Sequence, residues 1–154
     1  MKKFALMVTA LLLCVALLPY WGAATPAEAA PAIEWQRCLG GSGEDTAYSI
    51  QQTSDGGYIV AGLTKSNDGD VSGNHGMGDA WVVKLDASGG IEWQKCYGGS
   101  KYDSANSIQQ TSDGGYILAG ETTPDDGDVL SGNKGALDAW VVKLDASSDI
   151  HWEK

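Results

Sequence analysis

Short apolar runs recur along the chain, separated by clusters of Gly, Asp, Asn and Ser. Ser49-Ile50-Gln51-Gln52-Thr53 and Tyr58-Ile59-Val60-Ala61-Gly62 flank Ser54-Asp55-Gly56-Gly57, a strong hairpin turn. A Gly/Asp/Asn-rich loop then leads to Ala80-Trp81-Val82-Val83-Lys84-Leu85-Asp86, and Ala87-Ser88-Gly89-Gly90 turns the chain into Ile91-Glu92-Trp93-Gln94-Lys95-Cys96. Successive strand side chains point to opposite faces, so Ile59-Val60-Ala61 and Trp81-Val82-Val83 need cover on both sides. Ile91 and Trp93 instead alternate with Glu92 and Gln94, the pattern of an outer strand with one face in water. After the N-terminal region no segment has helical apolar spacing of useful length. The pattern predicts an all-β chain.

The pattern is written twice. Ile33-Glu34-Trp35-Gln36-Arg37-Cys38-Leu39-Gly40-Gly41-Ser42 recurs as Ile91-Glu92-Trp93-Gln94-Lys95-Cys96-Tyr97-Gly98-Gly99-Ser100, and a third start stands at Ile150-His151-Trp152-Glu153-Lys154. The spacing is 58 residues and then 59, the extra residue being Leu130 in a loop, where insertions are tolerated. Ser49–Ala61 and Ser107–Ala119 differ only at Val60/Leu118. Four short antiparallel strands per unit predict a β-propeller blade, with a two-layer sandwich as the alternative. The expected layout is a two-blade region over 30–154: a leading outer strand at 33–42, repeat 1 at 43–100, and a truncated repeat 2 at 101–154. Propellers use about four to eight blades, so two make an incomplete ring. Further repeats of a longer chain, or other copies of this one, are the expected partners. In the second case the leading strand completes the last blade of a neighbour.

Lys2 and Lys3 precede an apolar run from Phe4 to Leu18, Pro19 breaks it, and Ala27-Glu28-Ala29 fits a small-x-small cleavage site. Residues 1–29 therefore read as a signal peptide, and the chain as secreted or held at the cell surface. The run is shorter than the roughly 20 residues a spanning helix needs, so no membrane span is expected after its removal.

Twenty acidic against ten basic side chains give a formal charge of -10, which becomes -11 without Lys2, Lys3 and Glu28. That balance disfavours nucleic acid and anionic membranes, which call for clustered Lys and Arg. Glycine is abundant at 21 residues, and Trp and Tyr number six each against one Phe. Large rings thus sit where a polar edge can reach water or a partner.

Ser54-Asp55-Gly56-Gly57-Tyr58-Ile59-Val60-Ala61-Gly62, then Asp68-Gly69-Asp70-Val71-Ser72-Gly73-Asn74, then Trp81-Val82-Val83-Lys84-Leu85-Asp86 resembles a repeat of long exported prokaryotic proteins. The resemblance covers 33–154 and implies β-propeller blades, found in that family beside carbohydrate-active, adhesive or sorting modules. This chain carries two such units without those modules. Propellers host many unrelated functions, so the resemblance speaks for the repeat, and non-catalytic binding or scaffolding is the expected work. An accessory piece of a secreted carbohydrate-active enzyme (glucanase-like) and a self-assembling two-blade lectin are the alternatives. A glycan or a cell-surface protein is then the expected ligand.

Candidate chemistry is sparse. Asn67, Asp68, Asp70 and Asn74 recur as Asp125, Asp126, Asp128 and Asn133, and such oxygen-rich loops can wrap calcium, although a solvated turn is their commoner use. Thr53-x-Asp55-Gly56-Gly57 and Thr111-x-Asp113-Gly114-Gly115 are similar to the Asp-box of sialidase-type propellers, which implies a structural hairpin lock. Arg37 is the only arginine, so the Arg cluster for a carboxylate substrate is absent. Trp35, Trp81, Trp93 and Trp140 are candidate sugar-stacking platforms, although repeated strand positions more commonly serve packing. Cys38 and Cys96 hold equivalent positions in successive units, too far apart for a bridge if the units are blades. His75 and His151 do not recur, and Glu44, Asp45 and Asp103 follow the Gly-Gly loops with nothing to set them up as a hydrolytic pair. No catalytic residue is expected.

Overall fold

The computed structural model describes residues 31–123 and 126–154, so the expected signal peptide and Asp125 lie outside the described residues. Eight strands follow in order: β1 (Asp45–Gln52), β2 (Tyr58–Thr64), β3 (Asp79–Leu85), β4 (Ile91–Tyr97), β5 (Asp103–Gln110), β6 (Tyr116–Thr122), β7 (Asp138–Leu144) and β8 (Ile150–Glu153). They form two four-stranded antiparallel meanders, β1-β2-β3-β4 and β5-β6-β7-β8. Among the described residues there is no helix.

Each sheet opens on the hairpin that the sequence marks. Gly56 (φ 87°) and Gly114 (φ 84°) take the left-handed conformation that the turn requires. Tyr58 then pairs with Gln52, and Tyr116 with Gln110. The register slips between Ala47 and Ser49 and between Ala105 and Ser107, one β-bulge in the same place in each unit. A side chain at Gly62 or Gly120 would stand 1.8 or 1.7 Å from the carbonyl oxygen of Thr46 or Ser104, so the bulged strand is admitted only against glycine. The bulge also explains why β1 starts at Asp45 rather than at Ser49, where the alternation begins. The extra residue breaks the period of two and hides the first half of the strand from the pattern.

The two sheets stack face to face. Ile59, Ala61, Ala80 and Val82 of the first sheet meet Ile108, Tyr116, Leu118, Trp140, Val142 and Leu144 of the second in one buried cluster. Tyr97 seals one side, its hydroxyl donating to the Ser148 carbonyl at 2.7 Å. The opposite face of the first sheet holds a second cluster of Val60, Val71, Trp81, Val83, Leu85 and Cys96. Both faces of β2 and β3 are thus covered, as their unbroken apolar runs require.

The segment 33–42, expected as a leading outer strand, pairs with no strand of its own chain. It lies across the second cluster, with Trp35 and Leu39 packed on it and Trp35 edge-on to Tyr58 at 5.5 Å. Trp93 meets Tyr116 in the same way at 5.9 Å. The segment has the side-chain packing of β4 but lacks the strand neighbour that β4 has in β3.

Candidate functional site

The acidic loops and the Gly-Gly loops neutralise each other. Four successive amides of the first Gly-rich loop are taken up by side chains. Gly40 N–H donates to Asp70 Oδ2 (3.3 Å), Gly41 to Asp45 Oδ2 (2.8 Å), Ser42 to Asp68 Oδ1 (2.7 Å) and Gly43 to Ser66 Oγ (2.8 Å). The second unit repeats three of the four, with Gly98 donating to Asp128 (3.2 Å), Gly99 to Asp103 (2.8 Å) and Ser100 to Asp126 (2.8 Å). Amides that would otherwise cradle an anion are filled by the chain's own carboxylates.

The remaining calcium candidates do similar work. Asn67 Oδ1 accepts from Gly73 N–H. Asn74 donates to the Thr64 and Ser66 carbonyls and accepts from Gly76 N–H. Asn133 donates to the Thr122 carbonyl and accepts from Gly135 N–H. Among the described residues no three His, Cys, Asp or Glu side chains gather as a metal set.

Burial separates the two equivalent aspartates beneath these loops. Desolvation is the largest influence on Asp45, but hydrogen bonds from Thr64, Gly41 and Ser66 outweigh it and hold the carboxyl below its ordinary value. Asp103 is fully buried, and there desolvation prevails and raises it, as it does for buried Asp79. Asp79 accepts from the amide and the Nδ1 of His75 at 2.9 and 2.6 Å, so His75 caps a loop. Glu44 pairs with Lys65 at 2.6 Å, and that bond keeps it below its ordinary value. These acids tie loops to strands.

The Asp-box resemblance points to residues that do lock the hairpin. Asp55 accepts from Thr53 Oγ1 (2.5 Å) and Gly57 N–H (3.0 Å), and Asp113 accepts likewise from Thr111 and Gly115. A third partner escaped the sequence reading. Lys84 is only 3 % exposed, and its Nζ lies 2.9 Å from both Asp55 and Glu92. Lys143 meets Asp113 at 2.9 Å. A lysine inside an apolar strand, one repeat apart from a second lysine, was the available signal.

The four tryptophans join the cores. Trp81 (5 % exposed) donates to Gln94 at 2.8 Å and Trp140 (1 % exposed) to Glu153 at 3.2 Å, leaving neither ring face open to a sugar. Trp35 and Trp93 are half-buried against Tyr58 and Tyr116. Cys38 and Cys96 are both free thiols, the first exposed and the second buried. Burial first, then the charges of Asp79 and Asp45, push the Cys96 thiol up to about 12.

Two of the surfaces left over are apolar. A groove of about 290 Å³ opens on the first sheet beside Trp35, Leu39, Tyr48, Ile50 and Val60. On the far side of the second sheet, Ala119 and Ala139 are exposed and Ile117 and Val141 half-buried. Neither a scan against protein-family models nor a search of curated proteins returned a match to this chain.

Proposed function

We propose that this chain is a non-catalytic, exported repeat protein of β-propeller type that works by binding or scaffolding at the cell surface or outside it. One observation carries the reading. The acidic side chains repeated in both units are committed to holding loops and hairpins, while one sheet face and one groove expose apolar surface. Such a framework repeats to build area, with contacts made by the faces and by exposed positions that differ between units. Tyr48 of β1 against Asn106 of β5 is one such position. The two meanders supply the strand order of blades, and the signal-like residues 1–29 supply the export.

The test is retention of the full chain on insoluble xylan, β-glucan, chitin and bacterial cell-wall preparations, with reducing ends assayed in the same tubes. Retention without release of reducing ends supports binding. Enzyme-dependent release of reducing ends overturns it.

A further inference from the structure

The internal stacking of the two sheets uses two different surfaces, and a second example of one is uncovered and of the other partly covered. On the first sheet Ile59, Ala61, Ala80 and Val82 are fully buried under the second. Their repeat equivalents on the second sheet are Ile117, Ala119, Ala139 and Val141, chemically the same face without a cover. The surface that covers the first set is Ala105, Ile108, Leu118 and Leu144. Its equivalents on the first sheet line the groove: Ala47 and Ile50 are exposed there, while Val60 and Leu85 are buried beside Trp35 and Leu39. The outer face of the second sheet and the Ala47–Ile50 side of the groove therefore stand free, while segment 33–39 covers the rest of the groove surface.

Polar contacts follow the same rule. Across the internal interface Ser49 Oγ accepts from Ile108 N–H (3.4 Å), Gln51 Oε1 from Gln110 N–H (2.8 Å) and Gln110 Oε1 from Ser54 N–H (2.8 Å). Ser107, Gln109, Gln52 and Ser112 repeat those residue types at the outer faces. A glycine adds an independent observation. A Cβ on Gly76 would stand 2.4 Å from the backbone of Ser100, which leads into the second sheet. Gly135, its equivalent, has nothing within 4 Å and no positive φ, yet it is glycine. The repeat equivalent of Ser100 is Ser42, which leads into the first sheet.

We propose that the outer face of the second sheet in one copy docks into the groove on the first sheet of another, repeating the internal stacking between chains. This rests on the scaffolding reading above and names its partner as a second copy of this chain. The contact is heterologous, so copies add head to tail and close into a ring where the rotation allows. Trp35, Trp93 and Trp152 share one repeat position. Trp35 already occupies the place on Tyr58, so β8 of the incoming copy yields to the segment 33–39. One charge, Glu121 at the position of Leu63, interrupts the docking face near the end of β6.

Two exposed substitutions test the proposal by sedimentation velocity on the full chain. Ile50→Glu blocks the groove and Ala119→Glu blocks the outer face. Both positions are exposed, and an unchanged strand signal by circular dichroism verifies folding. The expected results are an assembly for the unaltered chain, a monomer for each variant alone, and a one-to-one dimer on mixing, since the mixture retains one intact junction. Trp152→Ala leaves the assembly in place. A monomeric unaltered chain overturns the proposal and assigns the faces to further repeats of another chain. Variants that still assemble, or a mixture that stays monomeric, also overturn it. Running the monomeric variants through the polysaccharide retention test separates the two readings: retention by a monomer leaves binding standing while docking is judged on mass alone.

Discussion

Ile50 and Ile108 hold the same position in two nearly identical repeats, yet Ile50 is 60 % exposed and Ile108 is 4 % exposed. Both lie one residue past the bulge of an edge strand and pair with the equivalent residue, Val60 or Leu118. The difference is the first sheet, which covers Ile108 and has no counterpart over Ile50. Burial here comes from stacking, not from local sequence.

The same truncation therefore has unequal costs. Ile108→Ala removes packed methyls from the inter-sheet cluster and costs about 2–4 kcal/mol. Ile50→Ala costs about 0.5 kcal/mol or less. Urea unfolding on the Ala119→Glu background, which keeps the chain monomeric, makes the comparison. Equal costs would mean that the sheets do not stack as described.

Gly76 and Gly135 form a matching pair of opposite kind. Gly76→Ala drives a methyl into the Ser100 backbone and destabilises the monomer by about 1–3 kcal/mol. Gly135→Ala meets open space and leaves monomer stability unchanged, but weakens assembly of the chain that carries Ala119. Thermal melts and sedimentation read the two effects separately.

Much of this was legible in the sequence, because turn chemistry and alternation are local. Ser54-Asp55-Gly56-Gly57 and Ser112-Asp113-Gly114-Gly115 mark their hairpins, and the 58-residue echo marks two like sheets. What escaped depends on contacts between distant residues. The bulge after Ala47 masks the start of β1, buried Lys84 reads as a surface charge until Asp55 and Glu92 are placed beside it, and Trp35-Gln36-Arg37 reads as a strand although no strand lies next to it. The oxygen-rich loops leave calcium and a solvated turn both open, because the amides of Gly40 and Ser42, more than twenty residues away, are not visible from Asp70 and Asp68.

Acid weakens the hairpin locks. Hydrogen bonds from Thr53 or Thr111, then from Lys84 or Lys143, hold Asp55 and Asp113 well below the ordinary carboxylate range in the folded chain. An unfolded aspartate takes up its proton near pH 3.9. Below about that pH the unfolded state binds more protons, and stability falls. Asp79 and Asp103, raised by burial, act in the opposite sense and favour the folded state as pH drops toward that range. The chain with both Asp55→Asn and Asp113→Asn is expected to melt lower near neutrality and to show a flatter Tm profile between about pH 4 and pH 2. Parallel profiles for variant and parent would contradict the lock.

The loop carboxylates already accept backbone N–H groups, so calcium is expected to add nothing to stability. A bound ion at a hundred times its Kd would stabilise by about 2.7 kcal/mol. Melting with added Ca²⁺ and with EDTA is expected to give the same Tm. A rise in Tm that saturates with Ca²⁺ and is reversed by EDTA would show that the loops are a cation site.

The central claim is that the two-sheet unit is a self-complementary building block, and the mass of the unaltered chain in solution tests it most directly. Light scattering across a dilution series is expected to show one assembled species containing a whole number of chains, two or more, which dissociates on dilution without loss of strand signal. A folded, monodisperse monomer at every concentration would contradict it.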